Sequence, residues 1–167
     1  MATLEYASPI GKLLITAHDG QIIGINFTME GAPPPPTLPK NFDDNGKSDI
    51  DANTAVMQQC VKELEAYFAG TLKEFTVKIN PMGTDFRKRV WQALQTIPYG
   101  ETISYKQLAE RVGNPAASRA VGGANHHNPI NIIIPCHRVI GAGGKLTGYG
   151  GGLDNKEFLL ELEKRSM

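Results

Sequence analysis

The spacing of apolar residues changes along the chain, and this change limits the folds available to it. Residues 4–6, 12–16 and 21–27 have the patterns of three β-strands. Turn residues occupy 8–11 and 18–20, so an antiparallel meander is expected. Later segments have helical spacing instead. The sequence therefore predicts an α+β fold in which a small antiparallel sheet comes first.

A proline-rich segment follows the predicted strands. Residues 33–36 are four prolines, and the polar stretch after them runs through Asp51, which predicts an extended loop. Apolar residues then recur at helical spacing over 53–68, and Gly70 is expected to end that helix. Residues 74–79 return to strand alternation. Residues 1–80 are therefore predicted to form an N-terminal α+β domain.

Two amphipathic helices are predicted near the ends of the second half, over 85–96 and 153–164. Glu163 falls on the last turn of the second helix. It could reach a functional site or be a solvated charge at a helix end. We expect residues 81–167 to form a C-terminal domain.

A pair of short helices lies between them. The first is predicted over 105–112 with Ser104 as its cap. The second is expected to start at Pro115, with Asn114 as its cap, and to run through residue 121. Two short helices joined by a glycine-containing turn are typical of a helix-turn-helix, although simple helix packing gives the same pattern.

Small residues dominate the second helix of this pair. Arg119 is the only charged residue over 116–124, where alanine and glycine prevail. A smooth surface with one long cation fits close approach to the minor groove of DNA. Tight helix packing, with Arg119 as a surface charge, explains the pattern equally well.

The formal net charge is zero, but the charge is unevenly distributed. Residues 1–80 contain six Lys/Arg and ten Asp/Glu, whereas residues 81–167 contain eleven and seven. A basic second half is compatible with phosphate contacts on one face. No apolar run is long enough to cross a bilayer, and the N-terminus lacks the pattern of a secretory signal. We therefore expect a cytoplasmic protein.

Cys136 lies in the sequence context that most suggests chemistry, whereas Cys60 is expected to be a buried filler in a helix. Residues 131–134 are predicted to form a short buried strand that leads into Cys136 and His137. An imidazole can take the proton of a thiol and leave the nucleophilic thiolate. Adjacent strand residues face opposite ways, so cooperation needs a bend, which Pro135 favours, or a bridging water. A buried cysteine beside an ordinary histidine explains the dipeptide as well.

The segment IIIPCHRVI at 132–140 resembles the signature of the methylated-DNA–protein-cysteine methyltransferases, the O6-alkylguanine-DNA alkyltransferases. Further matches occur in the same order, namely GTDFR at 83–87, IPYG at 97–100, SRAVG at 118–122 and YGGGL at 149–153. The resemblance is strong over residues 80–165 and covers the N-terminal half only in its order of elements. It implies a ribonuclease-H-like N-terminal domain and a winged-helix-like C-terminal domain.

By this resemblance, the protein transfers an alkyl group irreversibly from the 6-oxygen of guanine to Cys136 and inactivates itself. His137 would be the base, acting through a water, and Glu163 would orient it. Asn128 resembles the hinge asparagine that ties the recognition helix to the active-site segment. No residue of the chain could cleave the resulting thioether, so each molecule is expected to react once.

The resemblance also assigns residues to DNA and to the target base. Arg119 would fill the gap left by the extruded guanine, with Ala117 and Ser118 beside it on the DNA. Tyr105 would crowd the target phosphate and then bind the base. The guanine pocket would be lined by Tyr149, the Gly150 amide, and the carbonyls of Cys136 and Val139.

The implied partner is double-stranded DNA that contains an alkylated guanine, bound by a monomer through the minor groove with the base flipped out. Neither a metal nor an organic cofactor is expected, because the lesion is the alkyl donor. The ligands of the zinc site found in some relatives are absent. Acceptance of 4-O-alkylthymine stays open.

Two other functions are compatible with parts of the sequence. An alkyltransferase-like protein binds lesions without chemistry, but such proteins replace the nucleophile, and Cys136 is present. A thiol hydrolase could use Cys136 and His137, but that function leaves Arg119 and the paired helices unexplained.

Overall fold

The computed structural model describes residues 1–28 and 47–167. Its first half contains the antiparallel sheet β1 (Ala2–Ser8), β2 (Gly11–His18) and β3 (Gln21–Phe27), in that order. Asp19 and Gly20 both have positive φ and connect β2 to β3, as a tight hairpin turn requires. The predicted meander is confirmed. The proline-rich segment at 33–36 lies outside the described residues.

Helix α1 (Lys47–Phe68) packs against all three strands. It begins six residues before the predicted start at 53 and ends where predicted, before Gly70, whose φ is +79°. The inward face of α1 and the sheet bury a shared apolar core, which includes Leu13, Ile15 and Leu64. The first half is thus one sheet covered by one helix.

The second half contains α2 (Asp85–Leu94), α3 (Tyr105–Val112), α4 (Ser118–His126) and α5 (Leu153–Arg165). Ser104 caps α3 in a capping box with Gln107, as the sequence predicts. Two short strands, β4 (Ile103–Ser104) and β5 (Val139–Ile140), pair in parallel. α2 packs on both α3 and α4, and these two pack on each other. An antiparallel sheet followed by packed helices confirms the α+β class.

Three predictions of secondary structure are wrong. Residues 74–79 form no regular strand; only Ile79 makes a bridge, to Ile22 of β3. α4 begins at Ser118 rather than Pro115, so Ala117 is its N-cap, without a side-chain capping bond. Asn114 lies in the preceding turn, where its carbonyl accepts the Ala117 amide. At residues 78–80 the contacts with the distant Ile22 of β3, rather than local propensity, decide the backbone.

The third wrong prediction is the strand at 131–134. This segment is a tight turn in which the Ile134 amide donates to the Ile130 carbonyl at 3.0 Å. Ile132 has φ of +75°, which is strained for a β-branched residue. Its apolar character reflects burial in a turn rather than in a sheet.

Strand β3 positions this turn. The Ile25 amide donates to the Pro129 carbonyl at 2.9 Å, and the Asn131 amide donates to the Ile25 carbonyl at 3.1 Å. The segment that precedes Cys136 is therefore fixed to the sheet of the first half. None of the described helices is both long and apolar enough to cross a membrane.

Candidate active site

Cys136 begins a single 3-10 turn over Cys136–Arg138. This turn supplies the bend that Pro135 suggested, so Cys136 and His137 are both buried rather than on opposite faces of a strand. Burial raises the pKa of the Cys136 thiol to about 11, against smaller lowering effects from the Asn128 amide and the Lys156 charge. The sulfur is therefore a thiol near neutral pH, and it needs a base.

The thiol has a polar partner in Asn131. Its Sγ lies 3.7 Å from Asn131 Oδ1, and the amide of the same side chain donates to the Ile25 carbonyl at 2.8 Å. Asn131 thus connects the sulfur to β3. No role for Asn131 was predicted from the sequence, since a polar side chain inside an apolar run was its only signal.

His137 and Glu163 form a buried pair. Nε2 of His137 lies 2.5 Å from Oε2 of Glu163, and their side chains are 0% and 1% exposed. Since a carboxylate only accepts hydrogen bonds, Nε2 carries the proton and Nδ1 has the free lone pair. Nδ1 is buried and has no hydrogen-bond partner among the described residues.

The electrostatic environment keeps this pair in distinct charge states. Burial lowers the pKa of His137 and outweighs the opposing effect of Glu163, so the imidazole is neutral. Burial alone would raise the pKa of Glu163, but His137 and Arg138 hold it well below its usual range. Arg138 donates to Glu163 from Nε at 2.8 Å and from Nη2 at 3.2 Å. An ionised carboxylate therefore orients a neutral imidazole.

Asn128 joins the end of α4 to the turn before Cys136. Its side-chain amide donates to the Ile134 carbonyl at 2.7 Å, and its Oδ1 accepts from the Ile130 amide at 3.0 Å. Asn125 of α4 makes a similar link, from its amide to the Cys136 carbonyl at 3.4 Å. The paired helices are thus tied directly to the reactive segment.

Lys156 of α5 holds two backbone carbonyls in place. Its buried Nζ donates to the Val139 carbonyl at 2.6 Å and to the Thr147 carbonyl at 2.7 Å. The Tyr105 hydroxyl also lies 3.4 Å from the Thr147 carbonyl. These contacts bring together β5, the N-terminus of α3 and the glycine-rich segment at 141–152.

Tyr149 and Gly150 lie at the end of that glycine-rich segment. The Tyr149 ring is buried and meets the ring of Phe27 edge-on, with centroids 5.5 Å apart. The Tyr149 hydroxyl has no hydrogen-bond partner within the described chain. Gly150 is half-buried beside it. A residue of β3 therefore supports the Tyr149 ring.

Arg119 stands apart from this cluster, on the exposed face of α4. Ala117 and Ser118, at the start of the helix, are half-buried. Gly122 of the same helix lies beside the Tyr105 ring, which a Cβ at this position would meet in ordinary van der Waals contact at 3.8 Å. The face of α4 is thus smooth, with one projecting guanidinium.

Two residues of this site, Lys156 and Tyr67, were not predicted from the sequence. Lys156 was detectable, because it lies seven residues before Glu163 and so shares its buried helix face. Tyr67 could not be found from spacing, since 96 residues separate it from Glu163, to which its hydroxyl donates at 2.6 Å. No group of three potential metal ligands occurs within residues 1–28 and 47–167.

Comparisons with known proteins agree over nearly the whole chain. Residues 4–81 match the ribonuclease-like domain of 6-O-methylguanine DNA methyltransferase, and residues 85–165 match its DNA binding domain. A methylated-DNA–protein-cysteine methyltransferase of Methanosarcina acetivorans is 51% identical over 164 residues, which cover 95% of each chain.

Solved structures give the same result. A Mycobacterium tuberculosis protein, OGT in complex with DNA, is 48% identical and has a TM-score of 0.78, covering 97% of this chain and 92% of that one. An O6-methylguanine DNA methyltransferase of Methanococcus jannaschii is 27% identical, with a TM-score of 0.64 over 98% and 95% of the chains. The chain therefore belongs to the 6-O-methylguanine DNA methyltransferase family.

Proposed function

We propose that this protein repairs DNA by transferring the alkyl group of O6-alkylguanine to the sulfur of Cys136. The observation that carries the proposal is the buried arrangement of a protonated thiol beside a neutral imidazole that a carboxylate orients. Such a thiol is inert until a base accepts its proton. Membership in the family supplies the substrate class.

The reaction balances without any added reagent. The Cys136 thiol gives its proton to Nδ1 of His137 through a water, while Glu163 stabilises the imidazolium. The thiolate attacks the alkyl carbon, so an S–C bond forms as the C–O6 bond breaks. The electron pair goes to guanine, which takes up the proton that His137 had accepted, so the imidazole returns to its neutral form and S-alkylcysteine remains. Asn128 keeps the turn before Cys136 fixed to α4 during these steps.

A base inside a duplex hides its O6-alkyl carbon, so the nucleotide must be extruded into the protein. We propose that α4 binds the minor groove, that Ala117 and Ser118 contact the backbone, and that Arg119 fills the gap. Tyr105, at the start of α3, is suited to crowd the target phosphate and then to bind the base. The M. tuberculosis relative, solved in complex with DNA, supports a DNA partner.

The flipped guanine would lie against Tyr149, with the Val139 carbonyl accepting from its exocyclic amine and the Gly150 amide donating toward O6. Donation to O6 stabilises the negative charge that develops there. Lys156 contributes by holding the Val139 carbonyl in place.

We further propose a division at residues 80 and 81 into a ribonuclease-H-like domain and a winged-helix-like DNA-binding domain. Both described cysteines are free thiols, which persist in reducing compartments, and this supports a cytoplasmic location. A pocket that binds the alkylated oxygen of guanine could also bind O4-alkylthymine. Repair of a duplex that contains O4-methylthymine, measured in the assay below, tests this separately.

The test is to count lesions repaired per molecule. A duplex with one O6-methylguanine is incubated in excess with the wild type, Cys136→Ser and Cys60→Ser, and restored guanine is measured by chromatography. We expect the wild type and Cys60→Ser to repair one lesion per active molecule, and Cys136→Ser to repair none. Repair of many lesions per molecule, or repair by Cys136→Ser, would overturn the proposal.

A further inference from the structure

The carboxylate of Glu163 accepts hydrogen bonds from several groups other than the His137 imidazole that it orients. Besides His137 and Arg138, it accepts from the Gly100 amide at 3.2 Å and from the Tyr67 hydroxyl at 2.6 Å. Tyr67 and His137 donate to the same oxygen, Oε2. Among these donors, Tyr67 alone comes from the N-terminal half of the chain.

Tyr67 is held rigidly at this position. It is the penultimate residue of α1 and is 0% exposed. Its ring packs against those of Phe75 and Tyr99, with centroids 5.5 and 6.2 Å away. Burial and the adjacent negative charge raise the pKa of Tyr67, so the hydroxyl remains a donor at any pH at which the protein works.

We propose that Tyr67 is a positioning residue for alkyl transfer, through which the N-terminal half orients and tunes the Glu163–His137 pair. The inference rests on the proposed function of Cys136. It gives the first half of the molecule a part in the chemistry, because α1 carries the hydroxyl to the carboxylate.

The physical basis is competition for one carboxylate oxygen. A short hydrogen bond from Tyr67 disperses the negative charge on Oε2 and so limits the pull of Glu163 on the proton of His137. Without that bond, Glu163 would stabilise the imidazolium more strongly and its side chain would be less well oriented. A larger fraction of His137 would then be protonated before the reaction and unable to serve as the base.

Other charged or titratable groups face the pair and stay in place when the hydroxyl is removed. Arg138 contacts Glu163 from the 3-10 turn, and Lys156, about two turns before Glu163 in α5, acts on His137. Tyr149 of the glycine-rich segment interacts electrostatically with both Glu163 and the Cys136 thiol. A change confined to position 67 therefore isolates the contribution of the N-terminal half.

Tyr67→Phe removes only the hydroxyl, and Tyr99→Phe is its matched control. The Tyr99 hydroxyl is buried in the same aromatic cluster but has no hydrogen-bond partner among the described residues. Because each molecule reacts once, the reaction endpoint gives the active fraction, and the rate constant refers to correctly folded protein alone.

Transfer rates from a methylated duplex are measured between pH 5 and 8. We expect Tyr67→Phe to move the acid limb of the pH–rate profile upward by about one pH unit, which slows transfer by about tenfold on the acid side of the wild-type midpoint. Tyr99→Phe should leave both quantities unchanged. A rate and acid limb for Tyr67→Phe that match those of Tyr99→Phe would overturn the proposal, even though transfer to Cys136 still occurs.

A second variant covers the case in which Tyr67→Phe yields no active protein. Tyr67→3-fluorotyrosine keeps the size and the hydroxyl but makes the hydroxyl a stronger donor. It should move the acid limb downward, opposite to the effect of losing the bond. An unchanged acid limb in this variant would also contradict the proposal. Absence of transfer by the wild type would instead refute the proposed function itself.

Discussion

His137 Nε2 and Glu163 Oε2 lie 2.5 Å apart in a site that excludes solvent from both side chains. This contact fixes the tautomer of the imidazole, and Nδ1 is left as the only nitrogen that can accept a proton. Arg138 holds Glu163 ionised, while burial holds His137 neutral. The pair is thus prepared to activate a thiol whose own pKa of about 11 prevents ionisation near neutrality.

The first prediction concerns the pH dependence of transfer. Only neutral His137 can accept the thiol proton, and burial lowers the pKa of His137. The transfer rate should therefore fall as the pH is lowered, with a midpoint below about pH 6.5, and should not change with pH above that midpoint. Single-turnover rates between pH 5 and 9, with DNA affinity measured at each pH, check this. A rate that keeps rising tenfold per pH unit above pH 7 would show that the thiol ionises without His137.

The second prediction concerns stability. Glu163→Gln leaves the guanidinium of Arg138 buried without its charge partner, which should cost about 3 kcal/mol of unfolding free energy at pH 7. Glu163 has a depressed pKa in the folded state, so its contribution is complete above about pH 4.3, the unfolded value, and is lost as pH falls further. The difference between wild type and variant should therefore shrink below pH 4.

Urea unfolding at pH 7, 5 and 3.5 measures this difference directly. Glu161→Gln is the control, because Glu161 is exposed on the same helix. A wild-type advantage that stayed constant down to pH 3.5 would show that the charge of Glu163 does not stabilise the fold.

A third prediction separates binding from chemistry. Cys136→Ala should abolish alkyl transfer and keep affinity for lesion-containing duplex, because the residues proposed to contact DNA are unchanged. Cys60→Ala is the control, since Cys60 lies in α1 and its burial raises its thiol pKa to about 12. Fluorescence anisotropy gives the affinities. Parallel loss of binding and transfer in Cys136→Ala would contradict this division of roles.

A fourth prediction concerns base extrusion. Arg119→Ala should slow transfer from duplex by about tenfold and leave transfer from the free base O6-benzylguanine nearly unchanged, since the free base leaves no gap to fill. Arg165→Ala removes the same charge from the exposed end of α5 and serves as control. Equal losses on the two substrates would exclude Arg119 from this role.

Local patterns in the sequence predicted most of the secondary structure. The alternation in β1–β3, the Ser104 cap and the ends of α3 are set by residues that lie next to one another. Prediction failed where distant contacts decide the backbone. The turn at 131–134 is apolar like a strand, but β3 binds its ends through Ile25 and imposes positive φ on Ile132.

The residues of the candidate site also differ in whether the sequence predicts them. Cys136 and His137 were found because they are adjacent, and the resemblance brought Glu163 to them. Tyr67 and Asn131 gave no comparable signal, because each is held by a hydrogen bond to the opposite half of the chain. Their roles follow from the packing of the two halves, which no local pattern encodes.

The most direct test of the account is the mass of the protein after it meets its lesion. Wild-type protein is incubated with an excess of duplex that contains O6-methylguanine, digested, and analysed by tandem mass spectrometry. We expect one methyl group per chain, located on the sulfur of Cys136, with Cys60 unmodified. Restored guanine in the DNA together with an unmodified Cys136 would contradict the account.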